Sequence, residues 1–299
     1  MGEISIDPKF NIHETYKKVR ILNPYRDGGS AENPIYNNVK ECYSLRRIKA
    51  SGVYSVRISR GSDSFETDVI LPSNYTDFIS LNSEVSAGGT LGNWIGSSDA
   101  IIKKFYGQKG FKDLFYANAI FKLIVAGVLQ TLNGKPAFVT ITTEGFGLEA
   151  LGINGGVAIQ NASLFGVYEN LGTINTNRAF GFGNFIVDGL GTEKRHWNIA
   201  ADNSLRFDGG ALTNSTISSS IGIKLRTTIK NGDSYSDFIK GIQNIAPTVL
   251  TGTNIKDDLY IGTHNSRNFK FSELIVFLTD ESANRTAIET EINSVYNIF

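Results

Sequence analysis

Five carboxylates in the middle of the chain are the residues whose type could support catalysis: Glu144, Glu149, Asp188, Glu193 and Asp202. Two carboxyl groups about 5 to 9.5 Å apart can hydrolyse a glycosidic bond when one donates a proton and the other acts as nucleophile or base. None of the five stands in a diagnostic motif, and the chain has 29 acidic residues from which a pair could be drawn. We therefore expect solvated surface carboxylates, and no catalytic residue is predicted.

Metal, thiol and phosphate chemistry has little support in the sequence. The histidines, His13, His196 and His264, are too far apart for the short spacing of a zinc pair, and the only cysteine is Cys42. Glycine-rich stretches such as residues 152–156 lack the spacing of a phosphate-binding loop and are interpreted as turns. The G-x-S-x-G elbow of serine hydrolases is also missing. The sequence predicts neither a metal site nor a cofactor.

Aromatic side chains offer a different chemistry. A ring face supplies apolar stacking area for a sugar while its polar edges stay free. If a glycan is bound, we expect the contacts on loops that carry Trp94, Tyr106 or Trp197. The alternative for Trp197 is a place in the core, because a lone tryptophan more often serves packing.

Charge and hydropathy exclude two classes of partner. Lysine plus arginine equals aspartate plus glutamate at 29 each, so no net field favours nucleic acid. The most apolar stretch, residues 120–129, is interrupted by Lys122 and is far shorter than the roughly 20 residues of a membrane span. The first residues lack the basic and apolar regions of a secretory signal. We expect synthesis in a cytoplasm, without membrane insertion.

Short β-strands must position these side chains. Aromatic residues make up 11% of the chain, with 31 glycines and only 6 prolines, which is typical of strands joined by glycine turns. In the first strand the alternation puts Tyr54, Val56 and Ile58 on one face. Strands are predicted at 53–59, 65–71, 121–125, 136–142, 157–160, 163–169, 182–187, 205–207, 221–229, 257–262 and 269–278. Many short strands without a fixed repeat indicate a sandwich or barrel.

Three segments depart from the strand pattern. Residues 75–85 and 100–115 have mixed polarity, and short helical turns are predicted there. The C-terminus follows a strand with a helix, for which Asp280 is the predicted cap. Ile288, Ile292 and Val295 would share the buried face of that helix.

The first 35 residues are predicted to form an extended arm, which leaves 36–299 as one domain. The arm holds three prolines and few periodic apolar residues, so another surface would have to order it. Apolar, aromatic and arginine side chains dominate interface energetics. The predicted anchoring residues are Tyr16, Arg20, Ile21, Tyr25 and Arg26. The alternative is an arm packed along its own domain.

Several segments carry a resemblance to a known family. They are residues 43–47 (YSLRR), 54–60 (YSVRISR), 105–110 (FYGQKG) and 133–137 (NGKPA). These resemble the catalytic domain of arabinofuranosidase B and phage virion proteins that share the module. Residues 259–262 (LYIG) and 271–277 (FSELIVF), with the final helix, are similar to the end of concanavalin A-like lectin modules. The resemblance implies an all-β, concanavalin A-like jelly-roll β-sandwich with an N-terminal arm and a short C-terminal helix.

The chain differs from that family at positions that bear on whether it is an enzyme. Its tryptophan, aspartate and serine are replaced by Phe105, Gly107 and Lys109, and one cysteine cannot form its vicinal cysteine pair. We interpret this as a neutralised, substrate-facing acidic motif and expect no enzymatic activity.

The predicted function is that of a bacteriophage virion structural protein: a head fibre, capsid decoration or tail-associated protein. Its lectin-like domain would bind protein or a host-surface glycan, with other virion proteins as partners, and the sequence leaves homo-oligomerisation open. It would reach the virion from the host bacterial cytoplasm. The alternative is an arabinofuranosidase-type glycoside hydrolase acting on a surface polysaccharide.

Overall fold

The structure is a computed structural model that describes residues 32–75, 77–116, 120–140, 147–171, 178–183, 197–200, 205–207, 210–213, 221–249, 255–263 and 269–299. These residues form an antiparallel β-sandwich with a short C-terminal helix, which confirms the predicted fold class. Most of the predicted arm lies outside the described residues. Its last part contacts the domain, because Glu32 pairs with Lys49 and Ile35 packs against the core beside the C-terminal helix.

The elements are as follows, in chain order. The described strands are β1 (Glu41–Ser44), β2 (Tyr54–Arg60), β3 (Glu66–Ile70), β4 (Ala100–Phe105), β5 (Leu114–Tyr116), β6 (Phe121–Val125), β7 (Val128–Leu129), β8 (Thr131–Leu132), β9 (Lys135–Pro136), β10 (Phe138–Thr140), β11 (Leu148–Ala150), β12 (Asn161–Asn170), β13 (Arg178–Phe182), β14 (Trp197–Ala200), β15 (Leu205–Phe207), β16 (Gly210–Thr213), β17 (Gly222–Asn231), β18 (Ser234–Ile239), β19 (Ile242–Val249), β20 (Leu259–Thr263) and β21 (Phe269–Phe277). The helices are α1 (Leu91–Ile95) and α2 (Arg285–Tyr296), after a 3-10 turn at Pro34–Tyr36.

Two layers of antiparallel strands make the sandwich. Layer A has the order β19–β18–β17–β12–β21–β1, with β10 beside β1 along β21. Layer B has the order β3–β2–β4–β5–β11–β20–β13–β14–β15–β16. Strand β6 pairs with both β4 and β10 and so joins the layers.

The main core lies between the layers because alternate residues of each strand point inward. In β21, Leu274 and Val276 face this core, whereas Ile275 and Phe277 pack against α2 on the opposite side. In β11, Leu148 and Ala150 face the core and leave Glu149 on the outer side of layer B.

The C-terminal helix confirms one prediction and corrects another. Ile288 and Ile292 are buried against layer A, and Val295 is partly buried there, as the spacing predicts. The predicted cap, Asp280, is wrong, because the helix begins at Arg285 with Asn284 before it. Glu281 is buried and its N–H donates to Ser163 Oγ, which holds residues 281–284 in a turn ahead of the helix.

A charged network is buried between layer A and α2. The Arg46 guanidinium bonds Glu273 at 2.8 and 3.0 Å and Glu291 at 3.1 and 3.2 Å. Tyr36 donates its hydroxyl hydrogen to Glu291, and the Ser44 hydroxyl donates to Glu273. Arg46 and Glu273 are almost fully buried, so each needs the other for its charge to be compensated.

The two segments predicted as helical turns differ in the structure. Ala100–Phe105 is strand β4, because Ala100, Ile102 and Phe105 all enter the core. The alternation breaks after Ile102, because the register with β2 shifts between Arg57 and Ile58 and leaves Lys103 as an extra residue. Phe78 and Val85 form isolated β-bridges, and residues 77–85 contain no helix. No helix of the described part of the chain is long and apolar enough to cross a membrane.

Candidate functional site

One row of side chains crosses the outer face of layer B. Each member lies directly opposite the next in the neighbouring strand, so their side chains share a face. Chain neighbours such as Val56, Leu114 and Leu148 are in the core, which shows that the row points away from it. We call this the outer row, and it consists of Asp68, Arg57, Lys104, Phe115, Glu149 and Tyr260.

Glu149 is the member of the outer row best placed for acid chemistry. Its side chain is partly buried, and no hydrogen bond or ion pair holds its carboxylate among the described residues. Burial, and secondly the negative charge of Asp258, raise the pKa of Glu149 above its usual value. A carboxyl group with a raised pKa keeps its proton longer and can donate it.

Asp258 stands next to Glu149 in the sheet. Glu149 is opposite Tyr260, and Asp258 is two residues before Tyr260, so the two carboxylates occupy diagonal positions on neighbouring strands. Diagonal positions lie about 7 to 8 Å apart. From positions at that spacing, side chains on the same face can bring their carboxyl groups into the range of about 5 to 9.5 Å that catalytic carboxyl pairs use.

A glycine-rich turn fixes Asp258 and the residue before it. The Gly152 N–H donates to Asp258 Oδ1 at 2.9 Å. The N–H groups of Asn154 and Gly156 both donate to Asp257 Oδ2 at 2.8 Å. Residues 152–156, predicted as turn glycines, therefore position the carboxylates at the start of β20. The sequence analysis did not identify Asp258. The sequence signal that could have found it is its position two residues before Tyr260, which predicts that both side chains point to the same face of the strand.

The other predicted carboxylates cannot be placed in this site. Glu144, Asp188, Glu193 and Asp202 lie outside the described residues. Where side chains are described, no group of three or more His, Cys, Asp or Glu residues could hold a metal ion. The five predicted anchoring residues, at positions 16, 20, 21, 25 and 26, also lie outside the described chain.

Tyr106 lies at the far side of the outer row from Glu149. Its hydroxyl donates to Asp68 Oδ1 at 2.6 Å, and its ring packs against that of Tyr54 at a tilt of 43°, with 5.4 Å between centroids. Arg57 donates to both oxygens of Asp68 at 2.8 and 3.0 Å. Burial opposes ionisation of Asp68, but the hydrogen bonds from Arg57 and Tyr106 outweigh it and hold its pKa below the usual value.

The three predicted glycan-binding residues do not form one surface in the described structure. Trp94 lies in α1, partly packed against the core, with the Arg60 guanidinium 4.9 Å from its ring centroid. Tyr106 stacks near the start of β2 and Trp94 lies near its end, about 20 Å away at roughly 3.3 Å per residue. Trp197 begins β14, but its side chain is outside the described part. A glycan-binding role for each residue stays a prediction.

The FYGQKG motif is structural where the sequence suggested a substrate-facing loop. Gln108 is buried: its side-chain oxygen accepts from Ile48 and Lys49, and its amide donates to Arg46 O at 2.6 Å. A β-carbon at Gly107 would lie 2.5 Å from Glu41 Cδ. The loss of an aspartate at position 107 therefore says nothing about catalysis.

Comparisons with known proteins bear on this arrangement. No protein-family model matches the chain, and a search of curated proteins finds no match. A GH54 α-L-arabinofuranosidase soaked with a cyclic sulfate inhibitor superposes with a TM-score of 0.62 at 15% identity, over 88% of this chain and 64% of its own. An arabinofuranosidase complexed with arabinofuranosyl-α-1,2-xylobiose gives a TM-score of 0.60 at 16% identity over the same shares. The chain has the fold of these arabinofuranosidases.

The comparison corrects the predicted absence of enzymatic activity. That prediction is wrong, because the two arabinofuranosidases whose fold the chain shares are glycoside hydrolases. The chain spans 64% of the length of those arabinofuranosidases. A Trypanosoma rangeli sialidase gives a TM-score of only 0.41. None of these matches supports the predicted virion role, which stays a prediction.

Proposed function

We propose that the chain is a glycoside hydrolase of arabinofuranosidase type, with Glu149 and Asp258 as its carboxylate pair. The observation that carries the proposal is the partly buried Glu149, whose pKa is raised on the outer face of layer B in a chain with the fold of these arabinofuranosidases. Sequence alone supplied five carboxylates without a way to choose between them. Among the described residues, the register of β11 with β20 brings Asp258 beside Glu149 and so offers these two as a pair.

Glu149 and Asp258 have different environments, which suit them to different roles in glycoside hydrolysis. Burial and Asp258 raise the pKa of Glu149, which makes it the member of the pair suited to donate a proton to the glycosidic oxygen as the bond to the leaving group breaks. Asp258 accepts a hydrogen bond from the Gly152 N–H, which orients its carboxylate. It supplies the second carboxylate, as nucleophile or as base towards water, and stabilises positive charge on the sugar ring.

Terminal arabinofuranosyl groups are the substrate class that the fold favours. One of the similar arabinofuranosidases is complexed with arabinofuranosyl-α-1,2-xylobiose, in which an arabinofuranosyl group is attached to a xylobiose. We expect this chain to release such a group from a glycan. The predicted virion location, with other virion proteins as partners, remains a separate prediction that these contacts do not test.

Release of nitrophenolate from 4-nitrophenyl α-L-arabinofuranoside tests the proposal. Glu149→Gln and Asp258→Asn should each lower kcat/KM by about 10² to 10⁴-fold, because each removes a proton-transferring or nucleophilic group. Glu66→Gln is the matched control, since Glu66 is exposed at the start of β3 and outside the pair. Absence of turnover in the wild type, or full activity in both variants, would overturn the proposal.

A further inference from the structure

Phe115 continues the outer row beyond Glu149. It lies directly opposite Glu149 in the ladder, and 53% of it is exposed. Its chain neighbour Leu114 is fully buried in the core, so Phe115 is held on the open face by the pleat of β5. A large apolar ring is thus available one strand away from the proposed proton donor.

Further rings follow Phe115 along the face. Lys104 Nζ lies 4.6 Å from the centroid of Phe115 and 4.8 Å from that of Tyr106, so it bridges the two rings. The Tyr106 ring in turn packs against the tilted ring of Tyr54. Neighbouring strands are about 4.8 Å apart, so the rings extend roughly 5 to 15 Å from the strand that carries Glu149. We call Phe115, Tyr106 and Tyr54 the aromatic platform.

Ion pairs and hydrogen bonds fix the aromatic platform and neutralise its surroundings. Lys104 pairs with Asp113 at 3.1 Å, and Arg57 forms a two-pronged pair with Asp68. The charges of these two ion pairs cancel, so the pairs do not attract an acidic ligand. Because the rings are held before binding, a ligand would lose little affinity to ordering them.

We propose that the aromatic platform binds a neutral glycan chain that carries the group to be removed. The inference rests on the proposed function and deepens it, because it names the substrate as a substituted polysaccharide. Sugar rings present apolar faces that stack on Phe115 and Tyr106, and their hydroxyl edges can bond polar groups such as Arg57. The charge balance favours a neutral backbone over an acidic one. Phe115 lies directly opposite Glu149 in the paired strands β5 and β11, so the scissile bond would lie at the Phe115 end of the aromatic platform.

Turnover of neutral arabinoxylan compared with the small aryl arabinofuranoside tests this inference. In Phe115→Ala, kcat/KM for arabinoxylan should fall about tenfold more than for the aryl glycoside, since a buried aromatic contact is lost only with the polymer. Tyr106→Ala should act in the same direction. Phe111→Ala is the matched control: Phe111 is 46% exposed and lies under Lys40, outside the outer row. Equal losses on both substrates, or equal effects of Phe115→Ala and Phe111→Ala, would overturn the inference.

Affinity electrophoresis separates this inference from the proposed function. A gel containing neutral arabinoxylan should retard the wild type and the Phe111→Ala variant but not Phe115→Ala, whether or not the aryl glycoside is turned over. Lack of aryl turnover with retardation would reject the proposed function alone. Lack of retardation, or stronger retardation by carboxymethyl cellulose, would reject the neutral-glycan platform. Melting temperatures of all variants establish that each is folded.

Discussion

The carboxyl group of Glu41 lies against the α-carbon of Gly107, in the space that a side chain at position 107 would need. Four backbone N–H groups converge on this carboxylate at 2.7 to 3.3 Å, and they belong to Cys42, Lys109, Phe111 and Lys112. Burial raises the pKa of Glu41, and those hydrogen bonds partly oppose the effect. The turn around Gly107 is therefore built on an internal carboxylate, which explains why the position tolerates no side chain.

Gly107→Ala should destabilise the domain by about 1 to 3 kcal/mol, the usual effect of overpacking. Its β-carbon would lie 2.3 Å from the Lys112 carbonyl oxygen as well as against Glu41, and backbone cannot move away cheaply. Thermal or urea unfolding measures the loss. Gly61→Ala is the control, since its nearest atom would be 3.3 Å away. Equal stability of the two variants would contradict the described geometry.

Glu149→Gln should stabilise the protein increasingly as the pH rises. The folded-state pKa of Glu149 is raised by burial and by Asp258, so its favourable contribution is complete below the unfolded pKa and is lost as the pH rises through the folded value. Above that pH the wild type carries a partly buried charge, whereas glutamine does not. The difference in melting temperature, variant minus wild type, should grow from acidic to neutral pH. A constant difference would show that the Glu149 pKa is normal.

Asp258→Asn should lower the pKa of Glu149 without returning it to the usual value. Removing the Asp258 charge ends the repulsion, but burial is the larger cause of the shift and remains. A carbon-13 NMR titration of the Glu149 carboxyl group in both proteins measures this directly. Identical titration curves would mean that the two carboxylates do not interact.

Arg46→Met should cost about 3 to 5 kcal/mol, because it leaves the buried Glu273 carboxylate without its counter-charge. Chemical denaturation of the variant and the wild type measures the difference. Arg60→Met provides the comparison, since the Arg60–Asp63 pair is more exposed and its loss should matter less. An effect of Arg46→Met no larger than that of Arg60→Met would contradict the stabilising role of the buried pair.

Local periodicity was enough to predict many of the elements, although β1, β4, β18 and β19 were not among the predicted strands. Alternating apolar residues indicated the strands, and the spacing of Ile288 and Ile292 indicated the buried face of the last helix. Both signals depend only on neighbours in sequence, because a side chain's direction repeats every two residues in a strand and every 3.6 in a helix. Where the repeat is interrupted, prediction failed. Tyr54 was expected to share a face with Val56, but a register shift between them turns it outward onto Tyr106.

The candidate site was decided by tertiary structure alone. Glu149 was one of five indistinguishable carboxylates in the sequence, and Asp258 was not among them. Only the pairing of β11 with β20 and β5 puts Asp258 and Phe115 beside Glu149. Strand register depends on which distant segments pair and on the burial of a whole face, and a shift of one residue would exchange the two faces. The sequence by itself therefore determined the β-sandwich, whereas long-range strand pairing determined which side chains share the candidate site.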